Sequence, residues 1–248
     1  MYDLIVLGAT FAAAGIAQTF PGSCLILEPK PLAGYEFLST CHHGTDYHIP
    51  AVYPLAQQMQ RTFAEKGAFA HNRTCLFDCA APFYTLLEGK EVLLNTHILS
   101  TEKTDDGFRV TVHGINGFRT FTAKRIIDTR CNNRMCQSKT YNMLIDGTGE
   151  VTLPEGVVRE EWGFTHNYVL RCTVAPEDTL ITARKRAKEV LEQLPEGHKV
   201  ILLADDFDYQ VKPGYPKTEN GILMLPSKAY PNPILALDAG IHVAQKEV

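Results

Sequence analysis

A strand, a helix and a second strand are compressed into the first 28 residues, and this unit constrains the fold more than anything after it. Leu4-Ile5-Val6-Leu7 is an unbroken apolar run stopped by Gly8, the pattern of a strand covered on both faces. The small and apolar residues from Ala9 to Gln18 suit a helix pressed against a sheet, and Pro21-Gly22 ends it. Cys24-Leu25-Ile26-Leu27-Glu28 then reads as a second buried strand. Right-handed crossover makes the two strands parallel, so the chain opens with a βαβ unit.

Beyond it, residues 29 to 48 read as a loop rich in Pro, Gly, His and Tyr, and Tyr53 to Lys66 as a helix with Leu55, Met59 and Phe63 on one face. A short helix is expected at 80 to 88. Three runs follow, at 91–100, 107–113 and 118–122, separated by Thr104-Asp105-Asp106-Gly107 and Gly114-Ile115-Asn116-Gly117, which predicts an antiparallel meander. Residues 123 to 129 read as a return to a buried strand, and 146 to 149 as a turn. The second half predicts strands at 165–174, 199–204 and 207–212 and a helix at about 176–194, opened by Pro176, Glu177 and Asp178. Pro233 to Asp238 reads as a strand delivering an acid to a short helix, Ala239 to Lys246.

Composition removes several function classes. With 24 basic and 28 acidic residues the formal charge is -4, without the basic excess that neutralising a phosphate backbone requires, so nucleic acid is not the expected partner. No stretch reaches membrane-spanning length, and no membrane partner is expected. Seven cysteines in a 248-residue chain, odd in number and without a repeating framework, are expected as reduced thiols in a cytoplasm.

The first βα turn carries the chemistry. A dinucleotide pyrophosphate is held at a helix N-terminus because free backbone N–H groups and the helix dipole both favour negative charge there. A carboxylate about twenty residues on then bonds the ribose hydroxyls. Gly8-Ala9-Thr10-Phe11-Ala12-Ala13 followed by Glu28 has that spacing, with Thr10 where the pattern has its second glycine.

Together with the meander, Ala123-Lys124-Arg125-Ile126-Ile127-Asp128-Thr129 and the C-terminal Asn232-Pro233-Ile234-Leu235-Ala236-Leu237-Asp238-Ala239-Gly240, this turn resembles the FAD-dependent oxidoreductases of the glutathione-reductase-like flavoprotein fold. The resemblance covers both ends and the middle of the chain but not residues 150 to 225. It implies an α/β fold: a Rossmann-type FAD-binding domain, 1–150 plus 231–248, with an inserted antiparallel β-meander, and a smaller, mostly antiparallel substrate or cap layer, 151–230. It implies that the turn Gly8, Thr10, Phe11, Ala12 and Ala13 holds the FAD pyrophosphate and Glu28 the adenosine ribose. Thr129 would follow the later buried strand, and Asp238 would bond the ribityl chain beside the helix N-terminus at Ala239. Arg130 stands where the family has a glycine, and Leu237 where it has the glycine before the acid.

The function so implied is FAD-dependent hydride transfer between a small-molecule substrate and the flavin, with no built-in NAD(P)H domain, since no second glycine-rich fingerprint follows. The alternative is a noncatalytic nucleotide-binding or assembly protein with a degenerate flavin site. A third reading, an NAD-dependent dehydrogenase, is disfavoured by the meander and the Asp238 segment. Cys41-His42-His43-Gly44-Thr45-Asp46-Tyr47-His48 gathers metal-ligand types without ligand spacing, so no metal is expected. His42 or His43 is an acid–base candidate beside the cofactor. Asp205, Asp206 and Asp208 read as a solvated turn.

Overall fold

The computed structural model describes residues 1–70, 73–161 and 166–246. The opening unit is as the residues predict: β1 (Tyr2–Leu7), α1 (Phe11–Thr19) and β2 (Cys24–Leu27), the two strands parallel with Leu4 opposite Cys24 and Leu7 opposite Leu27. The following segment is not all loop, for it contains one helical turn, α2 (Tyr35–Leu38). Then come α3 (Pro54–Glu65), the paired short strands β3 (Phe69–Ala70) and β4 (Arg73–Thr74), α4 (Leu76–Leu87) and β5 (Glu91–Leu93).

The meander is present with one redistribution. Its strands are β6 (His97–Thr104), β7 (Gly107–Gly114) and β8 (Gly117–Asp128). Residues 91–93, expected at its first strand, instead pair parallel to β2. The third meander strand and the expected buried strand at 123–129 are one continuous β8. Its first half pairs antiparallel with β7, and its second half lies parallel to β1, with Leu7 opposite Asp128. One strand thus joins the meander to the parallel sheet without a turn.

After β8 the chain forms β9 (Cys136–Asp146), β10 (Val157–Glu161), β11 (Asn167–Val174), α5 (Leu180–Leu191), β12 (Lys199–Leu203) and β13 (Asp208–Val211). Residue 165, in the strand expected from there, lies outside the described residues. Helix α5 starts later than its acidic prelude suggested, because Thr179 and Thr182 cap it reciprocally. The chain then forms β14 (Lys217–Glu219), β15 (Ile222–Met224) and α6 (Pro233–Lys246).

The first sheet runs β14-β15-β8-β1-β2-β5, and the second, wholly antiparallel, runs β10-β11-β9-β12 with β13 also on β9. Strand β9 belongs to the second sheet, and β14 and β15 to the first. Strand alternation explains the burial. Leu4, Val6 and Ile26 face a core shared with α1, α3, α4 and α6, while Ile5, Leu7, Leu25 and Leu27 face Phe108, Val110 and Phe121 of the meander. In β9, Tyr141, Met143 and Ile145 pack toward α5, whereas Leu144 joins the first core.

The expected strand at Pro233–Asp238 is instead the first half of α6. Asn232 Oδ1 accepts the Leu235 N–H at 2.9 Å, Pro233 takes the first helical position, and Ile234, Leu237 and Ile241 supply a helical stripe. A short apolar run does not distinguish strand from helix by periodicity alone. Helix α6 packs on α1 at backbone contact: a Cβ on Gly15 would lie 2.2 Å from the Leu237 carbonyl, and one on Gly240 2.0 Å from that of Ala12. Gly240→Ala is accordingly expected to cost about 2–3 kcal/mol by overpacking, measured by urea unfolding. A loss under about 0.5 kcal/mol would show that the helices are not in contact there.

Candidate functional site

At the end of β1, Gly8 turns the chain with φ +97°, and Thr10 caps α1, its hydroxyl accepting the Ala13 N–H at 3.1 Å. The next donors are also taken. Phe11 N–H donates to Glu36 Oε1 at 2.8 Å, and Ala12 N–H to Ser227 Oγ at 3.4 Å. Ala9 N–H donates to Glu28 Oε2 at 2.7 Å. Residues 9 to 13, Glu28 and Ser227 have no exposed surface.

Glu28 stands at the end of β2 as predicted, but its other oxygen accepts the Lys30 N–H at 2.7 Å, so both oxygens are engaged by neighbouring backbone. Burial raises its carboxyl to about 7 against the opposing pull of those N–H groups. Thr129 follows β8, donating to the Leu7 carbonyl at 3.0 Å and accepting from the Thr10 hydroxyl at 2.8 Å. Arg130, in place of a glycine, lies over the turn, where a Cβ on Gly8 would meet its Cγ at 2.7 Å. Its guanidinium is fixed on Asp128 at 2.9 and 2.7 Å.

Asp238 and Ala239 lie within α6 rather than at its start. The Asp238 carboxylate accepts the Val52 and Tyr53 N–H groups at 3.1 and 2.8 Å, which fixes the chain entering α3. Gly8, Thr10, Phe11, Ala12, Ala13, Glu28 and Thr129 are thus brought together, and Asp238 holds the start of α3 instead. As folded, the cradle does not fit a pyrophosphate: its N–H donors are spent on side chains and its approach is covered.

A cavity of ≈ 370 Å³ opens elsewhere, beside the second sheet. His42, which follows α2, Arg171 of β11, Asp208 of β13 and Lys228, just before α6, line it together with Tyr209, Tyr230 and Pro231. Asp208 is its organising group, with only 2% of its side chain exposed. It contacts His42 Nδ1 at 2.7 Å, Lys228 Nζ at 2.7 Å and Arg171 Nη2 at 3.3 Å, and accepts from Asn142 Nδ2 at 3.1 Å. Burial alone would raise its carboxyl, yet His42, Lys228 and Arg171 hold it well below the carboxylate range. Burial lowers His42 below the ordinary imidazole value, Asp208 opposing. Arg171 is shared with Glu160 at 2.9 Å.

Of this cluster, the sequence pointed to His42. Asp208 was expected in a solvated turn and is instead buried, its place at the head of a strand of alternating Asp208-Tyr209-Gln210-Val211 being the available signal. Arg171, Lys228, Glu36 and Ser227 carried none. Among the described residues no group of three or more His, Cys, Asp or Glu is arranged to hold a metal, and no helix is long and apolar enough to cross a membrane.

No protein-family model and no curated protein matches the chain. Solved structures do. It is similar to OxyS anhydrotetracycline hydroxylase from Streptomyces rimosus (TM-score 0.60, 13% identity, 98% of this chain and 60% of that one). It is also similar to p-nitrophenol 4-monooxygenase PnpA from Pseudomonas putida (0.60, 12%, 99% and 77%). A third is aklavinone-11 hydroxylase in a ternary complex with FAD and aklavinone (0.56, 12%, 99% and 62%). The chain spans about three fifths of the length of the first structures it matches, at 60%, 61% and 60%. The likeness establishes the fold, a Rossmann-type FAD-binding α/β architecture shared with hydroxylases and monooxygenases.

Glu36 gives the cradle a measurable signature. Burial raises its carboxyl from 4.5 to about 7, the Phe11 N–H, Ser227 and Lys228 opposing. The folded state therefore binds this proton more tightly than the unfolded state, so its contribution is full below pH 4.5 and is lost as pH rises through about 7. Relative to Glu36→Gln, which cannot titrate, the wild type is expected to lose about 3 kcal/mol of unfolding free energy between about pH 4.5 and about pH 8. Parallel pH profiles in urea unfolding would place the carboxyl in water instead.

Proposed function

We propose that this chain is a small-molecule protein built on the FAD-binding fold, and that its working site is the cavity beside the second sheet, where His42 accepts a proton from a weakly acidic ligand. The observation that carries this reading is the His42–Asp208 contact at 2.7 Å on the cavity wall. An ionised carboxylate only accepts, so the ring proton sits on Nδ1 and Nε2 keeps the lone pair. The neutral imidazole favoured by burial is the form that can act as a base.

Arg171 and Lys228 on the same wall supply positive charge for the anion left behind. Tyr209, Tyr230 and Pro231 supply flat apolar surface, which suits the ring of a phenol or an enol. The proton moves from the ligand O–H to His42 Nε2, with Asp208 holding the ring and stabilising the imidazolium.

A second reading is an FAD-dependent oxidoreductase that moves a hydride between a small molecule and the flavin. It is supported by the likeness to hydroxylases, one of them solved with FAD, and by the Gly8 to Glu28 spacing. In that reading residues 1–150 with 231–248 hold the cofactor and 151–230 cap the substrate. The filled cradle weighs against it.

4-Nitrophenol, which colours on losing its proton, separates the two readings. Bound to the purified protein, it is expected to titrate about one unit or more below the free phenol, because His42 takes its proton and the imidazolium so formed lies against the phenolate. His42→Gln should abolish the shift, and Val211→Trp, which fills the cavity from its lining, should abolish binding. No binding, or a shift that survives His42→Gln, would overturn the role given to His42. The same spectra report flavin: a colourless protein agrees with the first reading, and a bound flavin band favours the second.

A further inference from the structure

A helix N-terminus normally presents unsatisfied N–H groups and the positive end of a dipole, which is why dinucleotides bind there. Helix α1 presents neither to the outside. Glu36 Oε1 accepts both the Phe11 N–H at 2.8 Å and the Ser227 hydroxyl at 2.7 Å, and Ser227 in turn accepts from Ala12 N–H at 3.4 Å. One oxygen receiving a backbone N–H and a hydroxyl is the pattern expected of a bound phosphate oxygen. Glu36 Oε2 is buried without a hydrogen-bond partner. Glu36 and Ser227 lie 191 residues apart, so tertiary folding brings them to the helix.

We propose that Glu36 is an internal stand-in for phosphate: its carboxyl group, with the Ser227 hydroxyl, holds the place on the Phe11 and Ala12 N–H groups that a pyrophosphate would take, and the chain keeps a dinucleotide fold without binding a dinucleotide in that cradle. Two independent features bar an incoming phosphate. The donors are committed, with Ala9 N–H on Glu28 and Ala13 N–H on Thr10. The electrostatics are also unfavourable, since a phosphate charge would be buried beside the Glu28 and Glu36 carboxyls, and Glu36 already counts against ionisation of Glu28. The nearby cations are engaged, Arg130 by Asp128 and Lys228 by Asp208. Tyr35 and Cys131, the other titratable groups that sense Glu36, add no positive charge.

Isothermal titration with ADP, which carries a diphosphate, and with FAD tests the proposal. Wild-type protein is expected to bind neither, and the exchange of its Phe11 and Ala12 amide hydrogens should be slow and unaltered by either ligand. Glu36→Ala removes the internal acceptor and should bind ADP at least about tenfold more tightly than wild type, a gain of about 1.4 kcal/mol. Glu36→Gln retains an acceptor oxygen for the same bonds and should remain closed.

Wild-type binding with protection of Phe11 and Ala12 would overturn the proposal, as would a folded Glu36→Ala protein, checked by circular dichroism, with no gain for ADP. If Glu36→Ala does not fold, the wild-type exchange pattern decides: fast exchange or ligand-induced protection refutes the internal stand-in, and slow, ligand-independent exchange supports it. None of the cradle residues lines the cavity beside the second sheet, so this proposal and the 4-nitrophenol reading fail separately.

Discussion

The N-terminus of α1 is buried between a parallel sheet and the final helix, and its N–H groups must find acceptors without water. That requirement organises much of what surrounds it. Thr10 serves one donor locally, while Glu28, Glu36 and Ser227 are brought from the end of β2, from α2 and from the turn before α6. The dipole favours a carboxylate there, and desolvation opposes its ionisation. The raised values of Glu28 and Glu36 show that desolvation is the larger effect. A buried donor left unsatisfied would cost about 1–3 kcal/mol, so the arrangement is worth its strained electrostatics.

The cluster around Asp208 solves a related problem with the opposite sign. Lys228 and Arg171 are brought beside the second sheet, where Asp208 opposes the effect of burial on Lys228, with Asn142 and His42 filling its remaining acceptor sites. Such a group is costly to bury and is stable only when its members arrive together. The same compactness leaves His42 with one defined tautomer facing a cavity. The cradle and the cavity therefore differ in kind: in one the N–H groups of Ala9, Phe11, Ala12 and Ala13 are met by side chains of the chain itself, and the other is open and lined by charged groups.

What could be read in the sequence was what is local. The βαβ unit was legible because apolar runs, small residues and a glycine follow one another within 28 residues, and the meander because its turns carry Asp-Gly and Asn-Gly chemistry. Glu28 was placed correctly at its strand end, though its carboxylate turns to its own backbone. The α6 segment was misread because Ile-Leu-Ala-Leu satisfies strand and helix alike, which also misplaced Asp238. Glu36 and Ser227 could not be found, since a single acid in a loop and a serine 191 residues away acquire meaning only by meeting. Asp208 had the appearance of a solvated acid because two exposed-type neighbours, Asp205 and Asp206, precede it.

The glycine contacts between α1 and α6 reach beyond the resting structure. Helix α1 is made before α6, so the surface it needs, the backbone of α6 at Leu237 and Ala12 against Gly240, is completed only when residues 233–246 have been synthesised. The opening βαβ unit must therefore wait, apolar and unpaired on that face, while the rest of the chain is translated. Shielding by a chaperone during that interval would be a demand of the topology itself, imposed by two hydrogens where side chains would otherwise be.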